Sequence, residues 1–420
     1  MADGDIYKPQ DTLYVWWLGN PAQPVPVGQL RLVSGGRAVA VQYGNAWLAS
    51  GFPLSEDLPL TQDLFVPRDK DTAAGAVDDA RPDRWGERVI RKFEKSPRLS
   101  ILEYLLFAGD DRYGALGVSQ SAQAYVPWRS APMPGLASLD AIAEVVRKVL
   151  ANEPVPELQR RLIHPGVSMG GARPKSVVSI DGEPWLVKFS AGDDVDMELL
   201  EHATMTLAAV CGVDVAPTRA LKLSTGHAVA IRRFDRVGAF RLHAMSANVA
   251  LRAAGEELGY PQLSQLLRRI APAAEIAQQQ QQLFRRMAFN ILIDNTDDHE
   301  KNHALLRQDD GSYRLAPAFD VLPSAQGLGY QAILVGDAGA DSTLDNALSQ
   351  PRAFGMNGAA ARSIASEIAG HVEGWKEHFR DAGVSDRDID VLAQYIDGGR
   401  LGAQRREFLQ VAPKRGVRKA

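Results

Sequence analysis

The 420-residue sequence predicts an α+β protein of two lobes, a strand-rich half followed by a helix-rich half. Three observations carry this reading. Before about residue 245, short apolar runs alternate with Gly, Pro, Asn and Asp turn chemistry. Beyond it, apolar residues recur at a helical period. Within that second half a polar run, Asn295-Thr296-Asp297-Asp298-His299-Glu300-Lys301-Asn302, closes one helical pattern and opens a loop.

The elements follow in chain order. Leu13-Tyr14-Val15-Trp16-Trp17-Leu18, Val27-Gly28-Gln29-Leu30-Arg31-Leu32 and Ala38-Val39-Ala40-Val41-Gln42-Tyr43 read as strands of a small antiparallel sheet. Residues 83–125 read as helical, through Trp85 to Ile90 and Ile101 to Phe107. Pro127, Pro132, Pro134 and Gly135 mark a linker, and Ser138 is the expected N-cap of a helix carrying Ile142, Val145, Val146 and Val149 on one face. Asp181-Gly182 between two apolar runs signals a hairpin. A helix is expected over 196–211, then strands through Ile231. Leu283, Phe284, Met287 and Ile291 begin the helical half, and Ile364, Ile368, Val372, Trp375 and Phe379 continue it. The expected domains are residues 1–125, a β-rich subdomain; 126–245, a second β-rich lobe; 246–412, a helical lobe; and 413–420, a basic tail. A cleft between lobes is where a nucleotide would sit.

Composition narrows the class. Apolar residues make up 45% and charged residues 23%, as in an ordinary soluble globular protein, and the length suffices for two or three cores. The net charge of −4 lacks the basic excess of a stand-alone nucleic-acid binder. The tail Lys414-Arg415-Gly416-Val417-Arg418-Lys419 reads as solvated, with contact to an acidic partner or a phosphate backbone as the alternative. One cysteine, Cys211, excludes an internal disulfide, and its apolar surroundings read as a buried helix position. The N-terminus lacks an apolar leader, and no apolar run approaches the roughly 20 residues of a membrane span. The expected compartment is the cytoplasm, with no membrane partner.

An Asp, an Asn five residues later and an Asp further on form the grammar of a kinase-type site: Asp297, Asn302 and Asp320. The first would orient and deprotonate a hydroxyl. The other two would hold Mg2+ against the phosphates of ATP. Upstream, Ser168-Met169-Gly170-Gly171-Ala172-Arg173-Pro174-Lys175 precedes a strand; its small residues would let backbone N–H groups approach phosphate. Lys188 ends the next strand, and the following helix offers Glu198 and Glu201 as its carboxylate partner. Arg232-Arg233-Phe234 leaves a strand where an adenine ring could be received. Taken singly, each has a plainer reading: a turn, an edge lysine, a surface charge cluster, a strand-end aspartate. Their order along the chain favours the phosphotransferase. His299 has no second histidine at ligand spacing, so it reads as ordering the loop rather than binding zinc.

These motifs resemble the HipA family of toxin–antitoxin Ser/Thr protein kinases. The resemblance rests on 168–175, Trp185-Leu186-Val187-Lys188-Phe189, Arg233-Phe234-Asp235-Arg236, 295–302 and Phe319-Asp320-Val321-Leu322-Pro323-Ser324. Arg81-Pro82-Asp83-Arg84-Trp85-Gly86 and Gly109-Asp110-Asp111-Arg112-Tyr113-Gly114-Ala115-Leu116-Gly117 look like the family's N-terminal subdomain. It implies a two-lobed protein-kinase-like fold with a small N-terminal β-rich subdomain and a helical C-terminal lobe. Asp297 would be the catalytic base, and Asn302 and Asp320 the metal ligands. Gly170, Gly171, Ala172, Arg173, Pro174, Lys175, Lys188, Arg232, Arg233, Phe234, His299 and Lys301 would bind ATP. Glu201 would form the structural ion pair, and Ser168 would be autophosphorylated, its added charge expelling the loop from the phosphate site.

The implied partners are a HipB-like helix-turn-helix antitoxin, operator DNA only indirectly through it, and a protein substrate such as an aminoacyl-tRNA synthetase, whose phosphorylation would arrest growth. The chain departs from the pattern at Arg232, where some members have Glu, and at Asp298, where some have Gly. An antitoxin-binding co-repressor scaffold and a small-molecule phosphotransferase are the alternative functions.

Overall fold

The computed structural model describes residues 7–166 and 171–410. Contacts divide the chain into two compact units: 1–193 with 219–256 and 304–311, and 194–218 with 257–303 and 312–420.

The first unit holds the two largest sheets, beside the short antiparallel pairs of 236–237 with 240–241 and of 244–246 with 304–306. The N-terminal one comprises β1 (Thr12–Trp17), β2 (Val25–Val33), β3 (Ala38–Tyr43), β4 (Thr72–Ala73) and β5 (Leu116–Ser119), in the order β4-β3-β2-β1-β5. Helices Arg84–Phe93 and Ile101–Phe107 occupy the expected helical stretch only in part. Residues 116–119 instead form β5, antiparallel to β1. All four β5 residues are buried, and a short run buried on both faces gives no period that separates strand from helix. Ser100 caps the second helix through a complete capping box with Glu103.

The second sheet comprises β6 (Lys175–Ile180), β7 (Glu183–Lys188), β8 (Thr218–Lys222) and β9 (His227–Arg232), in the order β6-β7-β9-β8. Asp181 (φ 54°) and Gly182 (φ 80°) make the β6–β7 hairpin turn, both left-handed as a two-residue loop demands. Helix Leu139–Leu150 lays Ile142, Val145, Val146 and Val149 on Val178, Ile180, Trp185 and Val187. Trp85, Val89 and Phe93 of the Arg84–Phe93 helix enter the same core. Ser138 makes no capping bond, because a short 3-10 turn (Leu136–Ser138) already leads into the helix.

The second unit is helical: Met197–Val210, Tyr260–Ile270, Ile276–Leu292, Gly358–Val372, Trp375–Asp381, Asp386–Ile396 and Gly399–Gln410. Leu283, Phe284, Met287, Ile291, Ile368, Val372, Trp375 and Phe379 are all buried, as their period requires. Cys211 is buried just past helix Met197–Val210, and burial pushes its thiol up to about 12, so it is inert as a nucleophile. Among the described residues, no helix is long and apolar enough to cross a membrane.

Candidate functional site

In the second unit, helix Ile276–Leu292 ends and the chain reverses at Asp294, which adopts a left-handed φ of 59°. The loop 295–299 and a 3-10 turn, Glu300–Asn302, follow. Asp297 is exposed, whereas Asp298 and Asn302 are buried. The Asn302 Nδ2 donates to the Asp297 carbonyl at 3.3 Å. That bond fixes the amide so that Oδ1 is the remaining acceptor. This atom is buried and has no hydrogen-bond partner among the described residues.

Asp320 follows not the expected strand through Phe319 but a segment pinned at one isolated bridge, Ala318 to Val215. Ala216 N–H donates to the Ala318 carbonyl, and Ala318 N–H to that of Asp214, both at 2.8 Å. Arg286, buried in helix Ile276–Leu292, donates to the Ala316 carbonyl at 2.8 Å. Asp320 itself is left-handed (φ 58°), a conformation that Asp tolerates better than most residues. Its proximity to Asp297 registers electrostatically. The Asp297 pKa is raised, first by partial desolvation and then by the negative charges of Asp320 and Asp298, with His299 opposing. A carboxylate raised in this way is a better general base than an ordinary one.

The loop is braced from within. Asp298 accepts the Tyr260 hydroxyl and lies 3.1 Å from His303 Nε2. Tyr260 in turn accepts Asn290 Nδ2 at 3.1 Å, and Asn295 Nδ2 donates to Asn290 Oδ1 at 3.1 Å. Arg286 faces His303 Nδ1 at 3.4 Å; arginine only donates, so Nε2 carries the hydrogen that Asp298 accepts. Burial opposes the Asp298 charge, but His303 and Tyr260 outweigh it and hold its pKa below the ordinary value. Asp298, which stands where some members of the resembled family have Gly, pins the loop beside Asp297. Tyr260 left no signal, since its partner lies 38 residues away. His299 is half-buried and Lys301 exposed. Glu201 and Glu198 are both buried on helix Met197–Val210.

In the first unit, Lys188 ends β7 with its side chain buried rather than pointing to solvent. Its register partner on β6 is Lys175, also buried. The Lys175 ammonium pairs with the Asp83 carboxylate and donates to the Gly171 carbonyl at 2.6 Å. Arg173 pairs with Asp193, and the Pro174 carbonyl accepts Phe189 N–H at 2.9 Å, extending the β6–β7 ladder. Ala172 is exposed and Gly171 left-handed (φ 44°). Ser168 and Gly170 lie outside the described residues.

Arg232 is exposed and pairs with Glu183 at 3.0 Å. Arg233 is buried and committed elsewhere: it chelates Asp235 at 2.9 and 2.7 Å and donates to the carbonyls of Asp111 and Arg112. Asp235 also accepts Gly114 N–H at 2.8 Å and Arg236 at 2.8 Å. The two motifs 109–114 and 233–236 are thus halves of one buried joint. Phe234 remains half-buried, edge-on to Tyr113.

The donor set in the second unit suits a hard divalent cation. Among the described residues nothing bonds the buried Asn302 Oδ1, and Asp297 and Asp320 are like charges that a cation would relieve. Mg2+ is commonly held by one or two protein oxygens plus phosphate and water, so the set needs no third acid.

Residues 18–119 match the family described as the HipA N-terminal domain, and residues 167–375 that described as the HipA-like C-terminal domain. The chain is 26% identical over 342 residues to "Putative kinase Y4mE" of Sinorhizobium fredii (strain NBRC 101917 / NGR234), covering 74% of this chain and 76% of that one. It is 29% identical over 157 residues to "Putative kinase Y4dM" of the same organism, covering 34% of this chain and 37% of the relative. It also aligns with a chain of the Shewanella oneidensis MR-1 HipA, HipB and operator DNA complex. There the TM-score is 0.65 and the identity 18%, over 95% of this chain and 97% of that one. The α+β, protein-kinase-like fold expected from the sequence holds.

Proposed function

The chain belongs to the HipA family, and we propose that it is the toxin of a toxin–antitoxin pair, acting as an ATP- and magnesium-dependent Ser/Thr protein kinase. The observation that carries this reading is the Asp297–Asn302 arrangement. A carboxylate of raised pKa sits beside an amide whose buried oxygen has no hydrogen-bond partner among the described residues, and the charge of Asp320 contributes to that elevation.

In this reading Asp297 accepts the proton of the substrate hydroxyl as its oxygen attacks the γ-phosphorus, the bond from that phosphorus to the β–γ bridging oxygen breaks, and ADP leaves. Asn302 and Asp320 would hold Mg2+, which when bound neutralises phosphate charge. Lys188, kept charged by a carboxylate for which Glu201 is the candidate, would meet the α- and β-phosphates. The backbone from Gly170 to Pro174 would line the phosphates. Phe234, rather than the committed guanidinium of Arg233, would contact adenine. His299 and Lys301 would flank the nucleotide, and Ser168 would be the autophosphorylation site. The partner would be a HipB-like antitoxin and the target a protein of the cytoplasm; both rest on the family likeness.

Expression without an antitoxin tests the whole proposal. Growth arrest that is relieved by Asp320→Ala, at equal protein level, is the expected result. Arrest undiminished in that variant would favour a scaffold that works without phosphotransfer.

A further inference from the structure

The motif Arg81-Pro82-Asp83-Arg84-Trp85-Gly86 has no part in the chemistry above, yet it packs against both ends of the phosphate-side segment. Downstream of that segment, Asp83 caps helix Arg84–Phe93 through Gly86 N–H at 2.9 Å and pairs with the buried Lys175 ammonium. Trp85 Nε1 donates to the Lys175 carbonyl at 2.8 Å. Upstream, a Cβ on Gly86 would lie 2.1 Å from the Pro165 carbonyl oxygen, so only glycine allows the helix this close. A Cβ on Gly166 would lie 2.3 Å from the Ala108 carbonyl oxygen. His164 Nδ1 meets Asp111 at 2.7 Å, and Ser176 Oγ accepts His164 N–H at 3.3 Å while donating to Leu162 O at 3.0 Å.

We propose that Asp83 and Trp85 are positioning residues, through which the N-terminal β-rich region mounts residues 171–175 for nucleotide phosphate. Lys175 serves this mount: its ammonium ties Asp83 to the Gly171 carbonyl, so it fixes the backbone that approaches phosphate. The inference rests on the kinase reading for its ligand, but the mounting itself does not. It gives the N-terminal region a role in ATP affinity.

The test uses the full chain with Asp83→Asn, which keeps the shape and the cap acceptor, and Trp85→Phe, which deletes one donor. Hydrogen exchange of amides 171–176 is measured without nucleotide, and MgATP affinity and kcat are measured in parallel. Faster exchange confined to 171–176 is expected, with MgATP affinity weakened about tenfold and kcat at saturating ATP changed far less, as for loss of a buried charge-assisted bond. Should Asp83→Asn fold poorly, Trp85→Phe still reads the mount, with a smaller loss in the same direction. Unchanged exchange in both variants overturns the proposal, as does faster exchange with unaltered affinity. A wild-type protein that binds no MgATP defeats the kinase reading instead, and the exchange data then judge the mount alone.

Discussion

Ser324 Oγ accepts the backbone N–H of Asp297 at 3.1 Å, and that of Thr296 at 2.8 Å. Its own N–H returns to the Asp294 carbonyl at 2.9 Å. One hydroxyl therefore binds the loop of the proposed base to the turn beyond Asp320. Ser324→Ala leaves two backbone donors without that acceptor, each costing about 1–3 kcal/mol where water cannot replace it. We expect kcat to fall about tenfold or more, the KM for ATP to move less, and Ser324→Thr to recover most of the loss in steady-state assays.

The Tyr260–Asp298–His303 cluster makes a second claim on the same loop. Tyr260→Phe removes a donor from a buried carboxylate and an acceptor from Asn290. The expected destabilisation is about 1–3 kcal/mol, a loss of several degrees in Tm by calorimetry. Combined with His303→Ala, the two losses should be non-additive, because both substitutions unpair one carboxylate.

The raised pKa of Asp297 has a sign that kinetics can read. The base works only when ionised, so kcat/KM falls on acidification, and the limb should lie above the ordinary Asp value of about 3.9. Asp320 contributes to that elevation. The pH profile of Asp320→Asn, measured on its residual activity, should show its acid limb displaced to lower pH.

Stability in acid follows the joint of the first unit. Burial raises the Asp111 pKa, but the hydrogen bond from His164 and the charges of Arg233 and Arg236 outweigh it and hold the group at about 2. The folded value is thus below the unfolded one. Its stabilisation is complete above about pH 3.9 and is lost as pH falls towards 2. Asp235→Asn should cost more, roughly 3–5 kcal/mol, since it strands the buried Arg233 and Arg236 guanidinium groups. Chemical denaturation checks both.

Much of the site was legible because its parts are local. Asp297 and Asn302 share one loop, and the Asp181-Gly182 turn announces its hairpin. What escaped the sequence is long-range pairing. Arg233 sits where a nucleotide contact was expected, but its acceptors lie at Asp111 and Arg112, more than 120 residues upstream. Lys175, expected to bind ATP, pairs with Asp83, 92 residues away, a partner that no local spacing announces. Strand β5 was hidden because its burial on both faces erased the alternation that identifies a strand. Ser324 lay inside a quoted motif, but a lone serine carries no spacing signal.

The central claim is that Asp297 transfers a proton and does not hold the nucleotide. The most direct measurement pairs MgATP titration with transfer of γ-labelled phosphate, in the wild type and in Asp297→Asn. Binding should stay within a few-fold, and transfer should fall by about 10²-fold or more in Asp297→Asn. Equal transfer by both proteins would contradict it.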